Sequence, residues 1–347
     1  MFFASDNSGP VHPSVIDALA AVNQGHVMAY GHDPVTERAV AMVRDVFEAP
    51  EAAVWFVGTG SAANALALAC LSEPFDAICC SRVAHVFEDE CNAPEFYTGG
   101  AKLLQVGAED DKFTADELRA EFERWPRSLH TSQHGPVSIT NVTERGTLYS
   151  LDEIRAISDV AHEQGVKLHL DGARFANACV ALDVTAAEMT WKAGVDAVSF
   201  GGTKNGLMGV EAVVVFDPDL ALDFELRRKR GGHLFSKGRY LAAQMEAYLT
   251  NDLWHDLARR SNASASRLVE GLQGTGRVDF LWEPQANMVF PSFAASAHRR
   301  LSEAGAIYHL WQGNPAGPTD ADVSCRLVCD WSISDKDIDR FVDLVAA

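Results

Sequence analysis

The stretch "SLDEIRAISDVAHEQGVKLHLD", residues 150–171, decides the fold. Ser150 and Glu153 have the S-x-x-E spacing of a capping box, Ile154, Ile157 and Ala161 keep helical spacing, and Gly165 stops the helix. "VKLHLD" follows at once as a strand-length apolar run, and "PVSITNV" (136–142) supplies a strand before the helix. Strand, helix, strand in that order is the repeating unit of a parallel sheet.

Similar runs occur at "AAVWFV" (52–57), "DAICCS" (76–81), "KLLQV" (102–106), "DAVSF" (196–200) and "EAVVVF" (211–216). Several are apolar on both faces, as in a sheet covered by helices on both sides. From about 237 to 272 the pattern is helical and amphipathic. Strand-like pieces "ANMVFP" (286–291) and "VSCRLVCDWS" (323–332) then alternate with helices around 293–304 and 334–346. The expectation is an α/β protein. Residues 1–245 would form an N-terminal arm and a large domain, with a mainly parallel seven-stranded sheet between helices. Residues 246–347 would form a smaller C-terminal α+β domain.

Composition narrows the partners. With 29 Lys+Arg against 48 Asp+Glu, the net charge of −19 opposes nucleic acid and anionic membrane surfaces. No segment reaches the roughly 18 apolar residues of a spanning helix, and "MFFASDNSGP" lacks the basic and apolar regions of a signal peptide. A cytoplasmic location is expected. The seven cysteines are odd in number and scattered through apolar segments, as free buried thiols are. No C-x2-C or HExxH occurs, and His130 and His134 lie in "LHTSQHGP", which reads as a loop, so no metal site is expected.

Three motifs carry chemistry. In "VGTGSAANALALACL" (57–71), Gly58, Thr59, Gly60 and Ser61 follow a strand and open a helix, which offers backbone N–H groups and hydroxyls to a phosphate. Gly58-x-Gly60-x-x-Ala63 also fits a relaxed dinucleotide fingerprint, but the next strand ends in "CCSRV", without the acid that would hold a ribose. In "HLDGARFANA" (169–178), Asp171 ends an apolar strand with Arg174 beside it, a position equally suited to a structural cap. In "VSFGGTKNGLMG" (198–209), Lys204 stands among glycines just beyond the following strand, 33 residues after Asp171. A phosphate cradle, a strand-end carboxylate and a lysine are the parts needed to hold pyridoxal phosphate (PLP), with Lys204 as Schiff-base anchor and the glycines allowing close backbone approach.

"FASDN", "YGHDP", "GTGSAAN", "AHVFEDE", "LHLDGARFANA", "SFGGTKNG" and "CRLVCDWS" resemble, in order and along nearly the whole chain, the low-specificity L-threonine aldolases, which are fold-type I PLP enzymes. The resemblance implies that Lys204 anchors the cofactor and Asp171 pairs with its pyridine nitrogen. It further implies that Thr59, Gly60 and Ser61 hold the phosphate and His85 stacks on the ring. It assigns Ser5, Arg174 and Arg326 to the substrate carboxylate, His130 to the substrate hydroxyl, and Tyr30 to a neighbouring subunit's site in a homodimer or homotetramer. Arg326 has a separate reading as a buried ion pair with Asp330.

His32, Ala62 and "KRGGHLFSKGR" (229–239) depart from the family pattern and leave open which cation of 227–239 meets the phosphate. The implied reaction is retro-aldol cleavage of L-threonine, L-allo-threonine and relatives such as phenylserine to glycine and an aldehyde. His85, His130 through a water, and a phosphate-bound water are the candidate bases. The alternatives are another PLP chemistry such as β-elimination or transamination, an NAD(P)-dependent oxidoreductase, and a non-catalytic PLP-binding protein.

Overall fold

The computed structural model describes residues 1–107 and 111–347. Seven runs form one sheet: β1 (Ala53–Val57), β2 (Asp76–Ser81), β3 (Lys102–Val106), β4 (Gln133–Thr140), β5 (Leu168–Gly172), β6 (Ala197–Gly201) and β7 (Glu211–Val215). Their order is β1-β7-β6-β5-β4-β2-β3, with β7 antiparallel to both neighbours and the remaining pairs parallel. β1, β5, β6 and β7 are buried along their whole length, the reason they read as continuous apolar runs rather than alternating ones.

The helix Leu151–Glu163 is capped as its sequence predicts. The Glu153 N–H donates to Ser150 Oγ at 3.3 Å, and the Ser150 N–H donates to Glu153 Oε2 at 2.7 Å. β4 begins earlier than expected, because Gln133–Pro136 joins the sheet instead of forming a loop. A register shift against β2, between Ala77 and Cys79, accommodates the glycine and proline. A Cβ on Gly135 would sit 2.8 Å from the Ala77 carbonyl oxygen, so only glycine fits there.

The helical stretch expected over 237–272 is two helices, Arg239–Leu249 and Leu253–Gly274, broken where Asn251 and Asp252 adopt left-handed φ values of 53° and 57°. "ANMVFP" is likewise divided, into β9 (Met288–Val289) and β10 (Pro291–Ala294), after β8 (Asp279–Phe280). With β11 (His309–Gln312) and β12 (Asp322–Val328) these make a small antiparallel sheet, ordered β11-β12-β10-β8 with β9 against β12. Helices Ala295–Glu303 and Asp335–Ala346 bury their apolar residues in the same small core.

The first residues of the chain belong to that core as well. Phe3 is fully buried against Phe341, its N–H donates to Ile307 O at 2.8 Å and its carbonyl accepts from Val328 N at 2.9 Å. Residues 245 and 246, where the sequence divides the chain, lie inside the helix Arg239–Leu249. This docking delivers Asp6 to the large sheet. Among the described residues, no helix is long and apolar enough to cross a membrane.

Candidate active site

The C-terminal ends of β1, β2, β4, β5 and β6 open on one side of the sheet around a cavity of about 270 Å³. Side chains converge at such strand ends because each strand delivers its following loop to the same edge.

At one wall starts the helix Gly60–Leu71, whose alanines are all buried. Thr59 caps it, accepting the Ala62 N–H at 3.2 Å, which leaves the Gly60 and Ser61 N–H groups facing outward from the first turn. A Cβ on Gly60 would meet no protein atom within 4 Å, so the space above this helix start is cavity. Phe235 packs on the other glycine, where a Cβ on Gly58 would lie 3.2 Å from its ring. Free N–H groups, a positive helix end and empty space fit a phosphate.

Asp171 closes the cavity floor at the end of β5, 2% exposed. Its Oδ1 accepts the Ala173 N–H at 2.9 Å and its Oδ2 accepts from Asn64 Nδ2 at 2.8 Å. The same Asn64 nitrogen donates to Glu90 Oε1 at 2.9 Å, and Glu90 Oε1 also lies 2.9 Å from His85 Nδ1. The hydrogen bond that His85 donates to Glu90 raises the His85 pKa above the usual imidazole value, against burial, with Asp171 adding to the rise. Glu144 Oε1 accepts the His85 backbone N–H at 2.8 Å and the Thr140 hydroxyl at 3.0 Å, and burial pushes its carboxyl up to about 7.

Lys204 lies in a short turn after β6, and burial, helped by Arg174, holds its ammonium pKa below the ordinary value. A buried amine of that kind is more readily neutral and nucleophilic. The two glycines before it serve the protein rather than a ligand. A Cβ on Gly201 would lie 2.5 Å from Ala173 O, and one on Gly202 would lie 2.8 Å from Val210 O. Glu211, on β7, accepts the Gly202 N–H at 2.7 Å and is itself pushed up to about 7 by burial.

Arg174 is clamped by Asp6 through two hydrogen bonds of 2.7 and 2.9 Å. Burial would raise the Asp6 carboxyl, but Arg174 and Lys204 hold it below the ordinary range. Arg326 does not pair with Asp330, whose Oδ1 is taken by the Ser332 N–H and hydroxyl. Its Nη2 donates to Ala4 O at 3.2 Å, and its Nε is buried without a partner. Burial and the nearby Arg174 pull its pKa down against the opposing charges of Asp6 and Asp89, and neither carboxylate hydrogen-bonds to the Arg326 guanidinium. A ligand carboxylate would supply that partner.

Thr59, Gly60, Ser61, His85, Asp171, Arg174 and Lys204 all line the cavity. Ser5 lies just outside it, capping a single turn through the Asn7 N–H, and Asn7 takes a place on the wall. Tyr30 is 45% exposed with φ 62°, and Lys229 Nζ sits 5.1 Å over its ring. His130 is in an exposed turn before β4, whereas the cavity meets that strand at Thr140, its far end. The residues after β4 that reach the wall are Val142 and Glu144.

Asp6, Asn64, Glu90, Glu144 and Glu211 were not singled out from the sequence. Asn64 had a signal, since an amide inside an Ala/Leu helix must find buried partners. The acids had none, because nearly all their partners come from other segments of the chain.

The model of the family described as beta-eliminating lyase matches residues 3–296. The chain is 40% identical over 342 residues to a low specificity L-threonine aldolase of Pseudomonas aeruginosa, covering 99% of this chain and 95% of that one. A solved structure of Leishmania major threonine aldolase superposes with a TM-score of 0.92 at 28% identity, over 100% of this chain and 99% of that one. A lysine-to-alanine variant of a serine palmitoyltransferase from S. paucimobilis, solved with a bound PLP–myriocin aldimine, shares the fold at 15% identity and TM-score 0.68, over 100% of this chain and 86% of the other. A dinucleotide-binding sheet places its glycine-rich turn on a central strand, whereas here that turn follows the edge strand β1. The chain belongs to the beta-eliminating lyase family, among the low-specificity L-threonine aldolases.

Proposed function

We propose that the protein is a PLP-dependent aldehyde-lyase that cleaves L-3-hydroxy-α-amino acids, L-threonine and L-allo-threonine among them, to glycine and an aldehyde. The observation that carries the reading is the neighbouring of Asp171 and Lys204 at adjacent strand ends, across from a helix start with free N–H groups. Bound PLP would supply an electron sink for the pair released when Cα–Cβ breaks.

The protein's share of the chemistry follows from its own groups. Gly60 and Ser61, with the Thr59 hydroxyl, would take the phosphate, and Asp171 would keep the pyridine nitrogen protonated by offering it a buried anion. The depressed Lys204 amine is suited to covalent capture of the aldehyde carbon. Arg174, held in orientation by Asp6, and Arg326, with an unused Nε, would bind the substrate carboxylate. His85 shares the cavity wall with Arg174 and would be the base that takes the β-hydroxyl proton. Tyr30 and the exposed Met28 and Phe235 suit contact with a second copy that completes the site, in a cytoplasmic homodimer or homotetramer.

Absorption spectra of the purified protein before and after L-threonine, with acetaldehyde followed through a coupled dehydrogenase, test the reading. A band near the visible edge together with acetaldehyde is expected. A band with keto acid and no acetaldehyde would redirect it to β-elimination or transamination, and no band with added PLP would reject it.

A further inference from the structure

Asn64 stands in the cavity wall and Glu90 behind it, and neither is needed to hold a phosphate or a carboxylate. One ligand-type atom from each of His85, Glu90 and Asp171 lies within 4.8 Å of the others, and Asn64 bridges the two carboxylates. The orientation of this amide is forced. Its Nδ2 has two protons, both spent on carboxylate oxygens, while a flipped amide would set Oδ1 against two acceptors. Glu90 Oε1 therefore accepts from Asn64, and with Glu90 ionised the remaining bond at that oxygen, from His85 Nδ1, is donated to it as well; burial raises the Glu90 carboxyl, while the hydrogen bonds from His85 and Asn64 oppose that rise and favour the anion. The ring proton is on Nδ1, and Nε2, with no hydrogen-bond partner among the described residues, opens to the cavity. The ring cannot slide away, because Glu144 holds its backbone N–H.

We infer that Glu90 is a positioning residue that fixes His85 in the Nδ1–H tautomer, with Asn64 holding the Glu90 carboxylate and tying it to Asp171. The Nε2 lone pair is thereby presented to whatever occupies the cavity, and its basicity is raised by a buried carboxylate behind the ring. The base at the cavity wall and the carboxylate on its floor are thus set by one chain of hydrogen bonds. Only the use made of the lone pair rests on the aldolase reading.

The test begins with resting holoenzyme without substrate, labelled with 15N-histidine. The imidazole nitrogens of His85 are identified by their loss in His85→Ala. In the wild type, Nδ1 protonated and Nε2 bare are expected above the His85 titration. An Nε2–H tautomer would overturn the proposal without any variant having to fold.

Glu90→Gln can present either an acceptor or a donor to Nδ1, so mixed tautomers are expected. The His85 midpoint should fall because a negative charge is lost, with Asp171, Lys204 and Glu144 left as the charged or titratable neighbours. kcat should fall about 10- to 100-fold with KM nearly unchanged and cofactor absorption intact, and the acid limb of the pH–rate profile should move to lower pH. Asn64→Ala frees the carboxylate and should also mix the tautomers. An unchanged His85 signal in Glu90→Gln overturns the Glu90 role, and one in Asn64→Ala removes Asn64 from the chain. Acetaldehyde release by the wild type is scored separately, so failure of the aldolase reading leaves the tautomer result standing.

Discussion

Lys204 is a cation in a place that disfavours cations, and its depressed pKa gives the first prediction. Lys204→Ala is expected to lose the absorption band of bound cofactor and all turnover, and a band of wild-type intensity in that variant would refute its role. Arg326→Lys keeps the charge but loses the planar fork, so KM should rise about 10- to 100-fold with little change in kcat, by initial rates against L-threonine. Glu211 gives a pH signature. Its carboxyl is raised by burial from 4.5 to about 7, so between these values the folded state holds a proton that the unfolded state has lost. That contribution to stability is complete below 4.5 and disappears as pH rises toward 7. Glu211→Gln has no such proton to lose, and its thermal midpoint should fall less than that of the wild type between about pH 5 and 7.5. Identical falls would show that Glu211 titrates normally.

At the scale of elements, the turn after β6 is the tightest join in the site. Gly201 passes so close to Ala173 and Gly172 that an added methyl must move backbone, and Gly201→Ala is expected to cost about 1–3 kcal/mol, read from denaturant unfolding. An unchanged midpoint would mean that the turn can yield. The helix Gly60–Leu71 is close-packed for a related reason, since its small side chains let it lie against the sheet and the helix Ala93–Thr98. Its start is then held at a fixed distance from the ends of β5 and β6. The early start of β4 shows what pattern reading misses. A Gly-Pro pair looks like a loop, yet a register shift against β2 absorbs it.

For the whole molecule, two cores and one chain crossing matter most. The N-terminal arm packs in the small core through Phe3, and three residues later Asp6 clamps Arg174 of the large domain, so the small domain helps to orient a residue of the site. The apolar residues left outside both cores include Met28, 71% exposed, together with Tyr30 and Phe235. The proposed contact with a second copy predicts that Met28→Asp lowers the mass in light scattering and weakens cofactor retention, because a buried charge at such a contact is costly. Retention of wild-type mass would place the contact elsewhere.

Local order along the chain determined the seven strand runs, the capping box of Ser150 and Glu153, and the three motifs that put Thr59 to Ser61, Asp171 and Lys204 at strand ends. These are legible because caps, apolar period and glycine turns act over a few residues. Only the tertiary structure decided the rest. It withheld His130 from the cavity, since a residue before a strand emerges at the opposite edge from one after it. It left Arg326 without Asp330, brought Asn64 and Glu144 to the wall, and set Asp6 and Glu90 behind it as partners of Arg174 and His85. Those side chains act through partners separated by as many as 281 residues, as Asp6 is from Asn287, and a hydrogen bond between distant segments leaves no periodicity in the sequence that makes it.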